Sequence, residues 1–179
     1  MFKHVTTVLA LTTALAATPY AQSATGSGKA APAQTPQSAS ADAEFLKEAA
    51  RANEAEVALA ALAQKQATDP RVKSVADVLR RDHEAARTEI QKLAKPRNVE
   101  ITAMTVGQLA AHNRLEKMSG ADFDRAWVTE MIELHRDARG LYSRATRSAD
   151  AEIKALATLQ ATNLEDHLKR AKALQGEVK

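Results

Sequence analysis

Residues 70–94, PRVKSVADVLRRDHEAARTEIQKLA, decide the fold. Val72, Ala76, Leu79, His83, Ala86, Ile90 and Leu93 recur at alternating spacings of four and three, which puts them on one face of a helix. Asp69 can cap this helix. Pro70 suits its first position, where a backbone N–H would be orphaned anyway. Lys95-Pro96 ends it, because the residue before a proline is pushed out of helical geometry.

Working outward, Asp42 to Gln66 has no Pro or Gly. Phe45, Ala49, Ala52, Leu59 and Ala63 follow a helical register there. Residues 96–121 form a longer connection, with a shorter helix predicted over Thr105 to Met118. Asp122 is a candidate cap for a third long helix carrying Trp127, Met131, Leu134, Ala138, Leu141 and Ala145. Ser148 to Asp150 reads as a turn, and a fourth long helix carries Ile153, Ala157, Leu164, Ala171 and Leu174. Short turns make each successive pair an antiparallel hairpin. Four amphipathic helices bury their stripes best against one another. The expected fold is therefore all-α: an antiparallel four-helix bundle of ferritin-like type, with a long helical crossover between helices two and three. An up-down-up-down path is equally compatible with the loop lengths.

Composition agrees. The 179 residues are 45% hydrophobic but only 3% aromatic, so Ala and Leu supply most of the apolar surface, a bias toward closely packed helices. There is no Cys, which excludes thiol nucleophiles, disulfides, cysteine zinc sites, iron–sulfur clusters and a lipoprotein anchor. Twenty-five bases against 22 acids give a net charge of +3 without a basic block or interleaved aromatics, so no nucleic-acid partner is expected.

Met1 to Ser23 reads as a secretory signal. Lys3 and His4 precede an uncharged apolar run, Val5 to Ala17, too short to span a bilayer, and small residues follow at Ala21, Ser23 and Ala24. Residues 24–41, with Pro32 and Pro36 among Gly, Ser, Ala and Gln, have little to bury and read as a disordered tether. The bundle domain is expected over 42–175, in the periplasm or outside the cell, with no transmembrane span in the mature chain.

Polar residues interrupt the apolar stripes. Glu56 shares the register of Phe45 and Leu59. A slipped register through Leu46, Asn53 and Val57 would instead turn Glu56 toward the surface. His83 lies between Leu79 and Ala86. His167 and Gln160 lie on the stripe of Leu164. His135 belongs to a flanking stripe with Val128 and Tyr142, at the edge of the core. Counted from the turns, Glu56 and His83 stand at one level. His135 and His167 differ by four residues, about 6 Å at the helical rise.

Burying an acid and three imidazoles unpaired costs several kcal/mol, and a shared divalent cation offsets it. Glu56, His83, His135 and His167 are thus candidate ligands for Zn²⁺, Cu²⁺ or Fe²⁺, with Asp82, Glu130 and Glu133 as candidate outer partners. The competing reading is a set of hydrogen-bonded core residues in a metal-free interaction protein of the envelope. A di-iron enzyme would need Glu-x-x-His. The residues three before His83, His135 and His167 are Arg80, Ile132 and Leu164. His112 is expected to face solvent. No nucleophile elbow, phosphate loop or dinucleotide fingerprint occurs, and no enzymatic activity is expected.

These residues resemble a known family. Asp42 with Phe45-Leu46, Ala49-Ala50, Glu54 to Leu59 and Val72 to His83 are similar to its first half. Phe123 to Trp127, Met131, His135 and His167-Leu168 are similar to its second. The family is the bacterial exported group catalogued as domain of unknown function 4142, often labelled as outer-membrane proteins. The resemblance spans about Asp42 to Leu174. It implies a ferritin-like periplasmic bundle, with Glu56, His83, His135 and His167 as recurrent polar positions, and it implies no activity. Ala55 stands where members often carry Gly before the Glu-Val pair. The outer-membrane label sits poorly with a chain that has neither alternating strands nor an apolar span.

Overall fold

The computed structural model describes residues 35–178. The signal segment and the tether as far as residue 34 lie outside the described residues. Five α-helices and a single 3-10 turn at Lys95–Arg97 make up the described chain: α1 Pro36–Gln66, α2 Pro70–Ala94, α3 Val106–Glu116, α4 Gly120–Ala145 and α5 Ala151–Gln175.

The first helix begins six residues earlier than the composition of 24–41 suggested. Thr35 accepts a hydrogen bond from the Ser38 amide and Pro36 takes the first turn. This is the same cap-and-proline device as Asp69-Pro70, where Asp69 accepts from the Arg71 amide at 2.8 Å. Arg71, hydrogen-bonded to the Asp69 carboxylate, holds its pKa down at about 2. The expected cap Asp122 is displaced. The helix starts from Ser119, Gly120 adopts φ +60°, and Asp122 falls within the first turn, paired with Arg125. Glycine meets that left-handed backbone without the steric penalty a Cβ would bring. Thr105 and Gln108 close a reciprocal capping box on α3.

Among the long helices, α1 packs on α2 and α4, and α5 packs on α4 and α2. Every neighbour is antiparallel. The Trp127 indole donates to the Leu59 carbonyl while Tyr142 meets Asn53 and Phe45, so α4 runs against α1. Arg71 reaches Glu177 and Arg97 reaches Asp150, so α5 runs against α2. The end of α2 therefore lies at the opposite end of the assembly from the start of α4. The chain returns through residues 95–119, which carry α3 against α1 and α4. The crossover is thus the path adopted. Asp124 of α4 ties this end down: its carboxylate accepts from the Thr68 hydroxyl at 2.6 Å and from the Thr68 and Asp69 amides.

The apolar interior comes in two parts. One holds Leu59, Leu79, Phe123, Trp127, Met131 and Leu168, and the other Phe45, Leu46, Ile90, Tyr142, Ile153 and Leu164. Each long helix places one or two buried polar residues between the two: Asn53 and Glu56, His83, His135, and His167. A buried polar layer cuts the core across its middle.

Candidate metal centre

All four predicted residues are buried, between 0% and 4% exposed. Their rings and carboxylate come together. The three imidazole centroids are 5.1, 5.3 and 5.5 Å apart, and one nitrogen of each ring lies within 4.8 Å of the others. Glu56 Oε2 stands 2.7 Å from His83 Nε2 and 3.3 Å from His135 Nε2. The histidine trio is the mutually close set, and the carboxylate touches two of its members.

His135 is not at the edge of the core but fully enclosed. The flanking stripe of Val128, His135 and Tyr142 faces inward, while Leu134 is only half-buried. α4 has a long-helix neighbour on each of two sides, so its buried face is wider than a single a/d seam. The four-residue offset between His135 and His167 also closes. Cα–Cβ bonds lean toward the N-terminus of their own helix. Across an antiparallel hairpin, His135 leans away from the turn and His167 toward it, so the rings meet between their backbone levels. Both registers considered for α1 are partly right, since Leu46, Asn53 and Glu56 are all buried.

The outer partner of each ring accepts a hydrogen bond, so the nitrogen facing it carries a proton. His83 Nδ1–H donates to Asn53 Oδ1 at 2.9 Å. The Asn53 amide is itself oriented, because its Nδ2 donates to the Ala49 carbonyl and to the Tyr142 hydroxyl, which leaves Oδ1 as the acceptor. His135 Nδ1–H donates to the Met131 carbonyl at 2.8 Å, one turn back. His167 Nε2–H donates to Asp82 Oδ2 at 2.9 Å. The remaining atoms are His83 Nε2, His135 Nε2, His167 Nδ1 and Glu56 Oε2. Each is fully buried and, among the described residues, has no hydrogen-bond partner. With the His83 proton on Nδ1, a nitrogen lone pair faces a carboxylate oxygen at 2.7 Å. That arrangement demands a proton or a cation between them.

Charge is set by the same neighbours. Burial pushes the Glu56 pKa up, but the nearby imidazoles of His135, His83 and His167 prevail and hold it down at about 2. Burial pushes His167 below its ordinary value, against the pull of Asp82. Glu56 is thus an anion and His167 a neutral donor at neutral pH. Burial raises the Tyr142 hydroxyl far above its usual range, so it stays protonated beside Asn53.

The three buried imidazole nitrogens lie close enough together that they could hold a metal ion. In a tetrahedral shell with bonds of about 2.1 Å, donor atoms are about 3.4 Å apart. Glu56 Oε2 already stands at or below that spacing from two nitrogens. The ring nitrogens would close by at most about 1.4 Å from their 4.8 Å envelope. Each ring also has the outer hydrogen bond that metal-bound histidines use to fix tautomer and orientation.

Of the expected outer partners, Asp82 is in place. Glu130 is not: it pairs with Arg114 on α3 at 2.5 Å. Glu133 is exposed on the same side of α4, and both line a surface pocket apart from the imidazoles. Their helix positions rotate them off the inward stripe. Gln160 is half-buried and accepts from Asn163, and His112 is half-buried on α3 rather than solvent-facing. Asn53 is the partner that residue-type reasoning passed over. Its signal was an amide inside a long helix, three residues before Glu56. The cavity of about 450 Å³ against Asp42, Phe45, Leu141 and Arg144 touches none of the four residues. Among the described residues, no helix is long and apolar enough to cross a membrane.

The sequence model of the family described as Domain of unknown function (DUF4142) matches residues 27–174. The crystal structure of a DUF305 fragment from Deinococcus radiodurans superposes with a TM-score of 0.71 at 14% identity, covering 81% of this chain and 99% of that one. At that identity the likeness concerns the fold alone. No curated protein matches the sequence.

Proposed function

This chain belongs to the DUF4142 family, which carries no assigned activity, and we propose from its polar layer that it is a metal-binding helical bundle. His83 Nε2, His135 Nε2 and His167 Nδ1 are the nitrogen donors, and Glu56 supplies the compensating charge and a fourth donor. The observation that carries this reading is the set of four buried atoms without hydrogen-bond partners, meeting between two apolar cores. Nitrogen and oxygen donors without sulfur suit Zn²⁺, Cu²⁺ or Fe²⁺. The role is metal handling or stress tolerance in the cell envelope, after export to the periplasm, by binding rather than catalysis.

Elemental analysis of the protein purified from the periplasm, with titration calorimetry against Zn²⁺ and Cu²⁺, tests this. One ion held per chain in the wild type and lost in His83→Ala is the expected result. Equal, negligible uptake by both would overturn it.

A metal-free reading draws on the 2.7 Å approach of Glu56 to His83, which becomes an ordinary charged hydrogen bond once a proton sits on Nε2. The outer surface would then carry the function, and His→Ala changes would alter stability alone.

A further inference from the structure

The four donor atoms are sealed from water, so an ion needs a way in. The three outer acceptors differ sharply in this respect. Asn53 is 3% exposed and the Met131 carbonyl belongs to a residue at 0%. The Asp82 side chain is 45% exposed. It is also the one charged acceptor of the three, and it contacts the cluster directly through His167 Nε2. The seam it lies on, between α2 and α5, is the most sparsely packed of the four between neighbouring long helices. Three arginines on these helices pair with other acids: Arg81 with Asp77, Arg80 with Asp77 and Glu84, and Arg170 with Asp166. Asp82 Oδ2 accepts from the imidazole, and among the described residues Oδ1 makes no hydrogen bond or ion pair.

We propose that Asp82 is the port of the centre: its half-exposed carboxylate captures a divalent cation from solution and passes it inward along the α2–α5 seam, past the His167 imidazole. This rests on the reading of the histidine cluster as a metal site. A carboxylate at the mouth of a closed site raises the local cation concentration and the association rate. It accelerates entry and exit alike, because ions leave by the way they enter. A purely orienting role would act differently. It needs an acceptor for His167 Nε2–H, which the amide oxygen of Asn also supplies, and its loss would appear in the equilibrium affinity.

Stopped-flow uptake and chelator-driven release of Zn²⁺ on the full chain separate the two roles, using wild type, Asp82→Asn, Asp82→Glu and Glu165→Gln. Glu165 is an exposed carboxylate on α5, paired with Arg139, and controls for net charge. Uptake and release should each slow about tenfold in Asp82→Asn, with the dissociation constant moving much less. Asp82→Glu should recover most of the rate. Glu165→Gln should match wild type, and the gap between wild type and Asp82→Asn should narrow as salt is raised. Wild-type uptake by Asp82→Asn, or equal slowing in Glu165→Gln, overturns the port while leaving the metal site standing. Failure of the wild type to bind Zn²⁺ or Cu²⁺ at equilibrium overturns both.

Discussion

Replacing His83 by Ala separates a metal ligand from a core histidine most cleanly, provided that the measured quantity is a difference of differences. Without metal the substitution has opposed effects. It strands Asn53 Oδ1 in the core, which costs about 1–3 kcal/mol, and it removes a lone pair that faces Glu56 at 2.7 Å. The net change in the apo protein is therefore small in informational value. The increment on adding metal is not. An ion held at a free concentration of 100 times its dissociation constant stabilises the wild type by about 2.7 kcal/mol, or about 5–10 °C in Tm for a domain of this size. If losing one of three imidazoles weakens binding by about 100-fold, the same ion concentration adds only about 0.4 kcal/mol to the variant. Calorimetric or circular-dichroism melts of both proteins, with and without Zn²⁺ or Cu²⁺, read this directly. A wild type whose Tm does not move with metal, or a variant whose Tm moves as far as the wild type's, refutes the assignment of His83 as a ligand.

The metal-free protein should lose stability toward acid in two stages. Burial holds the His167 pKa below 6.5, so the unfolded chain takes up that proton first and stability begins to fall as the pH drops below 6.5. The Glu56 contribution is fully present above its ordinary 4.5 and is lost as the pH falls toward 2. It amounts to on the order of 3 kcal/mol. Urea unfolding from pH 8 to 3 should show both stages, and a Glu56→Gln variant should lack the lower one. Asn53→Ala frees His83 Nδ1 and should weaken metal binding by about 10- to 100-fold, measured by competition with a chelating dye. Asn53→Asp, which keeps the acceptor, should bind nearer to wild type. Asp124→Ala unties the α1–α2 turn and should cost about 3 kcal/mol in denaturant unfolding. Its metal dissociation constant should stay at the wild-type value, because Asp124 lies remote from the imidazoles.

The helices were legible because their determinants are local. Pro70 after Asp69 and the four-three recurrence from Val72 to Leu93 act within a few residues, and α2 runs over the span they define. Where two local signals competed, the reading slipped. Asp122 is a good cap by residue type, yet Gly120 can take a left-handed φ and starts α4 earlier. Thr35-Pro36 starts α1 inside a stretch whose composition looked like tether. The inward facing of Glu56, His83 and His167 was also visible, since a helix turns 100° per residue whatever surrounds it.

The sequence by itself determined the helical class, the positions of the four long rods and the polar residues that break their stripes. Tertiary structure decided the rest. It selected the crossover path, buried His135, turned Glu130 and Glu133 away, enlisted Asn53, and set the half-exposed Asp82 beside His167. The physical reason is range. Helical periodicity orders residues along one rod, through bonds and contacts spanning four positions. The rotation and height of one rod against another are set by packing among residues far apart in the chain. In this bundle the lean of antiparallel side chains, about one helical turn in all, brings together imidazoles that counting along the chain sets apart.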